Sequence, residues 1–282
     1  MVKVLPRFIL KIILDFLGFV AYHVDSRHRK VAYANLDFVY NDELTKEKKE
    51  KIVKESYQNM VYNLYDFIYY QGKPLEVMEK NITIDAGASI INAINEDKNI
   101  ILVTAHYGSW ELAIPYVSIK YRPISVISKP VKNKYLHQFL LRARAAHNLQ
   151  MFEKHGAAKK MVKAIRDKRI VAMAIDQNIK QKGASVVEFY GKNVTQVDAP
   201  VRLAHKLNAV IIPMMFIRNS FDKHSVKFFD PITIDSDEMT DEKVQFYSQQ
   251  ISNTFESQIR NKPNDWFWQH RRFKEFYGEI YK

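Results

Sequence analysis

Residues 99–111 read NIILVTAHYGSWE, and this stretch decides how the chain is organised. Asn99–Ala105 is a short apolar run bounded by polar residues, the pattern of a strand buried on both faces. His106 follows it directly. Gly108 permits a tight turn, and Ser109 is placed to cap a helix over Ser109–Lys120. In an open α/β sheet, ligands bind at the carboxyl ends of the strands. A helix N-terminus there aims N–H groups and a positive dipole at the same spot, donors suited to an oxyanion. Glu111, on the first helical turn, is placed to hold one imidazole nitrogen and leave the other free as a base. The bland alternative is a structural histidine tied to a nearby carboxylate. Spacing does not choose between them, because His270/Glu275 repeats the H-x4-E pattern without an apolar strand before it.

Outward from this block, apolar runs alternate with helical periodicity. Strands are expected at Ile124–Ile127, Ile170–Ile175, Val186–Phe189, Ala209–Ile217 and Val226–Phe229. Helices are expected at Asn133–His147, Ala157–Asp167, Pro200–Leu207 and Asp241–Arg260. Upstream, Val53, Tyr57, Met60, Leu64 and Phe67 mark one face of a helix, with Thr45 as N-cap and Gly72 and Pro74 as a stop. Strands alternating with helices predict an α/β fold, a largely parallel central sheet flanked by helices.

Composition excludes several chemistries. The chain has 282 residues and no cysteine, so disulfides, thiolate metal sites and a cysteine nucleophile are all absent. Its eight glycines are too scattered for GxGxxG, a P-loop or a GxSxG elbow. No HExxH or zinc-finger spacing occurs, and neither metal nor cofactor is expected. A net charge of +12 suggests anionic partners, against the plainer reading of a basic, soluble surface. Nucleic acid is not expected, because the basic residues are dispersed and no binding motif appears.

Phe8–Val24 is apolar but carries Lys11 and Asp15, four apart and able to pair on a helix. It falls short of the roughly 20 apolar residues of a clean membrane span. No small-residue cleavage site precedes the cluster Arg27, His28, Arg29, Lys30, which argues against a signal peptide. A buried core helix remains open. The favoured alternative is a helix lying in, or just crossing, the membrane, with the cluster on anionic headgroups. That divides the chain into an anchoring helix, 1–24, and a single domain, 25–282.

The block Ala105–Glu111 resembles the signature of the lipid A late acyltransferases of Gram-negative bacteria, which are similar in turn to glycerolipid acyltransferases. The resemblance continues in order through Lys129-Pro130, Arg142 and Arg144, Asp176-Gln177, Phe189-Tyr190-Gly191, Thr195, the Pro200/Leu203/Ala204 helix and Trp268–Lys274. It also includes Asn35-Leu36, so it spans nearly the whole chain. Lys129 stands where the family has Arg, which puts a bidentate anion contact there in doubt.

The resemblance implies transfer of a fatty acyl group from acyl carrier protein to a hydroxyl of a lipid A precursor. His106 would be the general base and Glu111 would steady its imidazolium, with no acyl-enzyme. Lys129, Arg142, Arg144, Asp176, Gln177, His270, Arg271 and Arg272 would contact substrate or carrier. It further implies an anionic membrane surface as partner, at the cytoplasmic face of the inner membrane. A lysophospholipid or other glycolipid acceptor and a non-catalytic lipid-binding protein are the rival readings.

Overall fold

A computed structural model describes residues 6–127, 138, 147–152, 156–235 and 237–282. Three helices come first: α1 (Arg7–Val24), α2 (Ser26–Tyr40) and α3 (Lys46–Tyr69). They are followed by α4 (Leu75–Glu79), β1 (Ile82–Ala86), α5 (Ala88–Asn95), β2 (Asn99–Gly108), α6 (Trp110–Lys120), β3 (Ile124–Ile127) and β4 (Gln150–Phe152). Next are α7 (Ala157–Arg166), β5 (Ile170–Ala174), the hairpin β6 (Ala184–Phe189) and β7 (Lys192–Val197), and α8 (Ala199–Leu207). The last elements are β8 (Ala209–Arg218), β9 (His224–Phe228) and α9 (Asp241–Asn261), before a closing segment of short turns.

Among the described residues the main sheet has seven strands, in the order β1-β9-β8-β2-β5-β3-β4. Every neighbouring pair is parallel except β8 and β9, so the expected largely parallel α/β architecture is what forms. β2 lies at the centre, between β8 and β5. Its alternation serves two cores. Ile101, Val103 and Ala105 pack on one face with residues of α2, α7, α8 and α9. Ile100 and Leu102 pack on the other with α5 and α6. Removing such near-complete apolar surface from water contributes about 25 cal/mol per Å², which is why strands buried on both faces read as unbroken apolar runs.

The helix expected at Asn133–His147 lies outside the described residues, apart from Gln138 in a helix and His147 in a turn. The Arg27–Lys30 cluster is the first turn of α2, and the Asp25 side chain caps it by accepting from the His28 N–H. In α1, Lys11 pairs with Asp15 at 2.6 Å as its spacing required. Leu10 and Leu14 are buried against Tyr62, Tyr65 and Phe221. The opposite face of α1 leaves Phe8, Ile12, Phe16 and Phe19 each more than half exposed. No described helix is long and apolar enough to cross a membrane.

Candidate active site

The parallel register of β2 and β5 pairs Thr104 with Ala174. Two residues beyond each, at the carboxyl edge, stand His106 and Asp176. His106 Nδ1 is 2.7 Å from Asp176 Oδ1. The other carboxylate oxygen accepts from the His106 backbone N–H at 2.8 Å and from Trp266 Nε1–H at 3.0 Å. Asp176 is 7% exposed, and the four groups lock one ring orientation. Burial works against the imidazolium, but the charge and hydrogen bond of Asp176, with Glu111 adding charge, outweigh it and raise the His106 pKa above its ordinary value. The same contacts hold the Asp176 carboxyl well below the usual range although burial pushes it up.

With Nδ1–H donating to the carboxylate, Nε2 carries the free lone pair. Gln177 Nε2 approaches it at 3.5 Å, the outer limit of a hydrogen bond. Trp110 and Phe267 rise beside the ring at centroid distances of 5.8 and 6.4 Å and contact each other. The His106 ring therefore faces an aromatic wall.

The turn after His106 is built on Gly108, whose φ is +55°. A Cβ there would lie 1.9 Å from the Phe216 carbonyl oxygen, so β8 and the turn meet backbone to backbone. Ser109 occupies the N-cap position of α6 but makes no capping bond. Its hydroxyl is fully buried and lies 2.9 Å from His224 Nδ1. Behind it Asp66 pairs with Arg218 at 2.6 Å, and Arg218 donates to Asn59. Asn59 in turn donates to the Gly108 carbonyl.

Several expected roles change. The carboxylate holding the imidazole is Asp176, not Glu111, because the adjacent parallel strand delivers it to Nδ1. Glu111 acts on His106 through charge. The α6 terminus does not offer the open set of oxyanion donors expected of it: the Glu111 N–H is bonded to Asn63 Oδ1 and the Ser109 N–H to the Phe216 carbonyl. Arg272 is 1% exposed and donates to the carbonyls of Gln177 and Thr195, so it clamps the loop after β5 and has no surface to offer substrate or carrier. Burial lowers its pKa to about 10, with the Asp176 charge opposing. His270 Nε2 accepts from the Asn178 N–H at 2.8 Å, which holds the same loop. Arg271, like His270, is partly open, its guanidinium 5.6 Å from the Tyr281 ring centre. Lys129, Arg142 and Arg144 lie outside the described residues. Trp266 had no expected place in the site, and Asn35 entered only through the resemblance. Asn35, fully buried, donates to the Trp268 and His270 carbonyls and fastens the closing segment.

A histidine backed by a buried carboxylate, at the carboxyl edge of a parallel sheet and beside an aromatic wall, has the chemistry to take a proton from a substrate with an apolar part. Residues 1–275 match the family described as bacterial lipid A biosynthesis acyltransferase, and the chain belongs to that family. It is thus an acyltransferase of lipid acceptors. It is similar to a lipid A biosynthesis palmitoleoyltransferase of Escherichia coli (strain K12), 21% identical over 259 residues, covering 92% of this chain and 82% of that one. It is also similar to a phosphatidylinositol mannoside acyltransferase of Mycolicibacterium smegmatis, 18% identical over 179 residues, 62% of this chain and 57% of that one. Among solved structures, the 1-acyl-sn-glycerophosphate acyltransferase of Thermotoga maritima aligns over 93% of this chain and 99% of its own, with 13% identity and a TM-score of 0.43.

Proposed function

We propose that the chain transfers a fatty acyl group from acyl carrier protein to a hydroxyl of a lipid A precursor, with His106 as general base and Asp176 as its orienting partner. The observation that carries this is the bond from Asp176 to Nδ1, which leaves Nε2 to accept a proton. The acceptor oxygen attacks the thioester carbonyl as its proton passes to Nε2. The C–S bond then breaks, and the proton leaves with the thiolate. Asp176, and Glu111 through charge, stabilise the imidazolium in between. No acyl-enzyme forms: the chain has no cysteine, and the hydroxyl of Ser109 is buried on His224.

Membrane placement completes the reading. The outward apolar face of α1 lies in the interface and the body beginning at residue 25 rests on it, at the cytoplasmic face of the inner membrane. The carrier is acidic, and exposed Lys159, Lys160 and Lys163 on α7 with Lys180 and Lys182 after β5 supply opposite charge near the site. A different glycolipid acceptor is the second reading, favoured by the likeness to a mannoside acyltransferase.

The test is incubation of the purified chain with lauroyl- and myristoyl-carrier protein and a tetra-acylated lipid A precursor, read by mass spectrometry beside His106→Ala. One added acyl group, reduced about 10²–10⁴-fold in the variant, is expected. Acylation of a lysophospholipid or mannolipid instead would replace the acceptor. Undiminished transfer by His106→Ala would remove the base.

A further inference from the structure

A groove of about 980 Å³ opens between α2 and the closing segment. None of His106, Glu111, Asp176 or Gln177 lines it. Along α2, Arg27, Lys30, Val31, Ala34 and Phe38 follow at helical spacing and form one stripe into it, cationic at the start and apolar beyond. Arg271 faces the stripe from the other wall.

The charge balance is one-sided. Arg27 and Lys30 are exposed and make no ion pair among the described residues. Arg271 lies against a neutral Tyr281 ring. Asp37 is the acid lining the groove, and Lys49 already pairs with it at 2.7 Å. Their neighbours are engaged elsewhere, with His28 on Asp25 and Arg29 on the carbonyls of Tyr22 and His23. Arg27, Lys30 and Arg271 thus line the groove uncompensated above an apolar floor, with Lys282 at its rim. The stripe also begins just past Val24, where α1 ends with its exposed apolar face. A ligand that suits both halves carries an anionic headgroup and an acyl chain.

We propose that this groove binds an anionic membrane phospholipid, with its phosphate among Arg27, Lys30 and Arg271 and the start of an acyl chain along Val31, Ala34 and Phe38. It is a second lipid site, distinct from that of the acceptor at His106. The inference shares the placement of α1 at a bilayer with the proposed function but does not depend on His106 acting as base.

Flotation of the full chain with phosphatidylcholine vesicles, with and without phosphatidylglycerol, tests it. Each cation near an anionic surface is worth about fivefold in binding, so Arg27→Gln/Lys30→Gln weakens binding to the phosphatidylglycerol vesicles by about 30-fold. The control Lys159→Gln/Lys163→Gln removes two cations from α7 and changes binding by less than about threefold if the groove, not overall charge, is responsible. Equal loss in the two doubles, or no loss in the first, overturns the proposal. Soluble dihexanoyl-phosphatidylglycerol binds the wild-type chain and loses affinity for Arg271→Gln. Failure to bind, or inorganic phosphate binding as tightly, refutes the lipid groove. Acylation of detergent-dispersed acceptor is unchanged in Arg27→Gln/Lys30→Gln, so loss there, with binding intact, would fault the proposal of a separate site.

Discussion

Replacing Asp176 by Asn keeps the volume of the side chain and inverts its polarity on one side. In the native site Oδ1 accepts from His106 Nδ1–H, while Oδ2 accepts two N–H donors, His106 main chain and Trp266 indole. An amide has one oxygen. If the oxygen stays on Nδ1, the NH₂ confronts two donors, and each buried group left unsatisfied costs about 1–3 kcal/mol. If the oxygen turns to the two donors, the NH₂ donates to Nδ1, and the proton of the neutral imidazole moves to Nε2. The second arrangement satisfies all four groups and is favoured by about 2–4 kcal/mol. The tautomer with a free Nε2 lone pair then falls to about 3 × 10⁻² to 10⁻³ of the population, because about 1.36 kcal/mol is one decade. The loss of charge against the imidazolium adds to this, and kcat falls about 10³-fold with KM little changed. Steady-state transfer from acyl-carrier protein measures the rate, and ¹⁵N–¹H correlation of the His106 ring reads the tautomer. Activity within about tenfold of wild type, or a ring still protonated on Nδ1, would refute the reasoning.

Glu111→Gln removes a negative charge near the imidazole, so the acidic limb of the pH–rate profile shifts to lower pH and kcat falls less than about tenfold; the limb of the wild-type enzyme lies above the ordinary histidine value of about 6.5. Gly108→Ala drives a Cβ into the Phe216 carbonyl at positive φ, which costs at least about 3 kcal/mol and lowers Tm by about 6–12 °C in calorimetry. His224 is held neutral, its pKa well below the usual value through burial and then the charges of Arg218, Lys223 and Lys262. The unfolded chain takes up that proton near pH 6.5 and the folded chain does not, so stability falls with decreasing pH below about 6.5, by up to about 1.4 kcal/mol per unit. His224→Gln flattens that slope in denaturant titrations between pH 7 and 5, whatever its effect on stability at pH 7.

The strands that carry the site were legible because they are buried on both faces. Asn99–Ala105, Ile124–Ile127 and Ala209–Ile217 stand out as apolar runs, and each lies within or matches a strand of the sheet. β1 (Ile82–Ala86) was not, since three of its five residues are exposed on the sheet edge and no run survives. α2 was hidden because its basic first turn reads equally well as a headgroup cluster. In the site, His106 was marked by the turn that follows its strand. Its carboxylate was misassigned because sequence spacing reports neighbours along a helix, whereas the Asp176 contact comes from strand register. The signal was present: the apolar runs Asn99–Ala105 and Ile170–Ile175 are each followed at once by one half of the pair. Nothing local announces Trp266, which reaches Asp176 from 90 residues away. Arg272 misled because a guanidinium held by backbone carbonyls looks, in sequence, like part of a basic run and sits, in the fold, as a clamp.

The closing segment has a consequence for the order of synthesis. The face of α1, the cationic stripe of α2 and the whole sheet emerge from the ribosome before Trp266 and Phe267. Until those two arrive, Asp176 lacks its indole donor, the His106 carbonyl lacks the N–H of Phe267, and the aromatic wall has one side. A nascent chain can present the apolar face of α1 before the surroundings of its His106–Asp176 pair are complete, because these wait on Trp266 and Phe267.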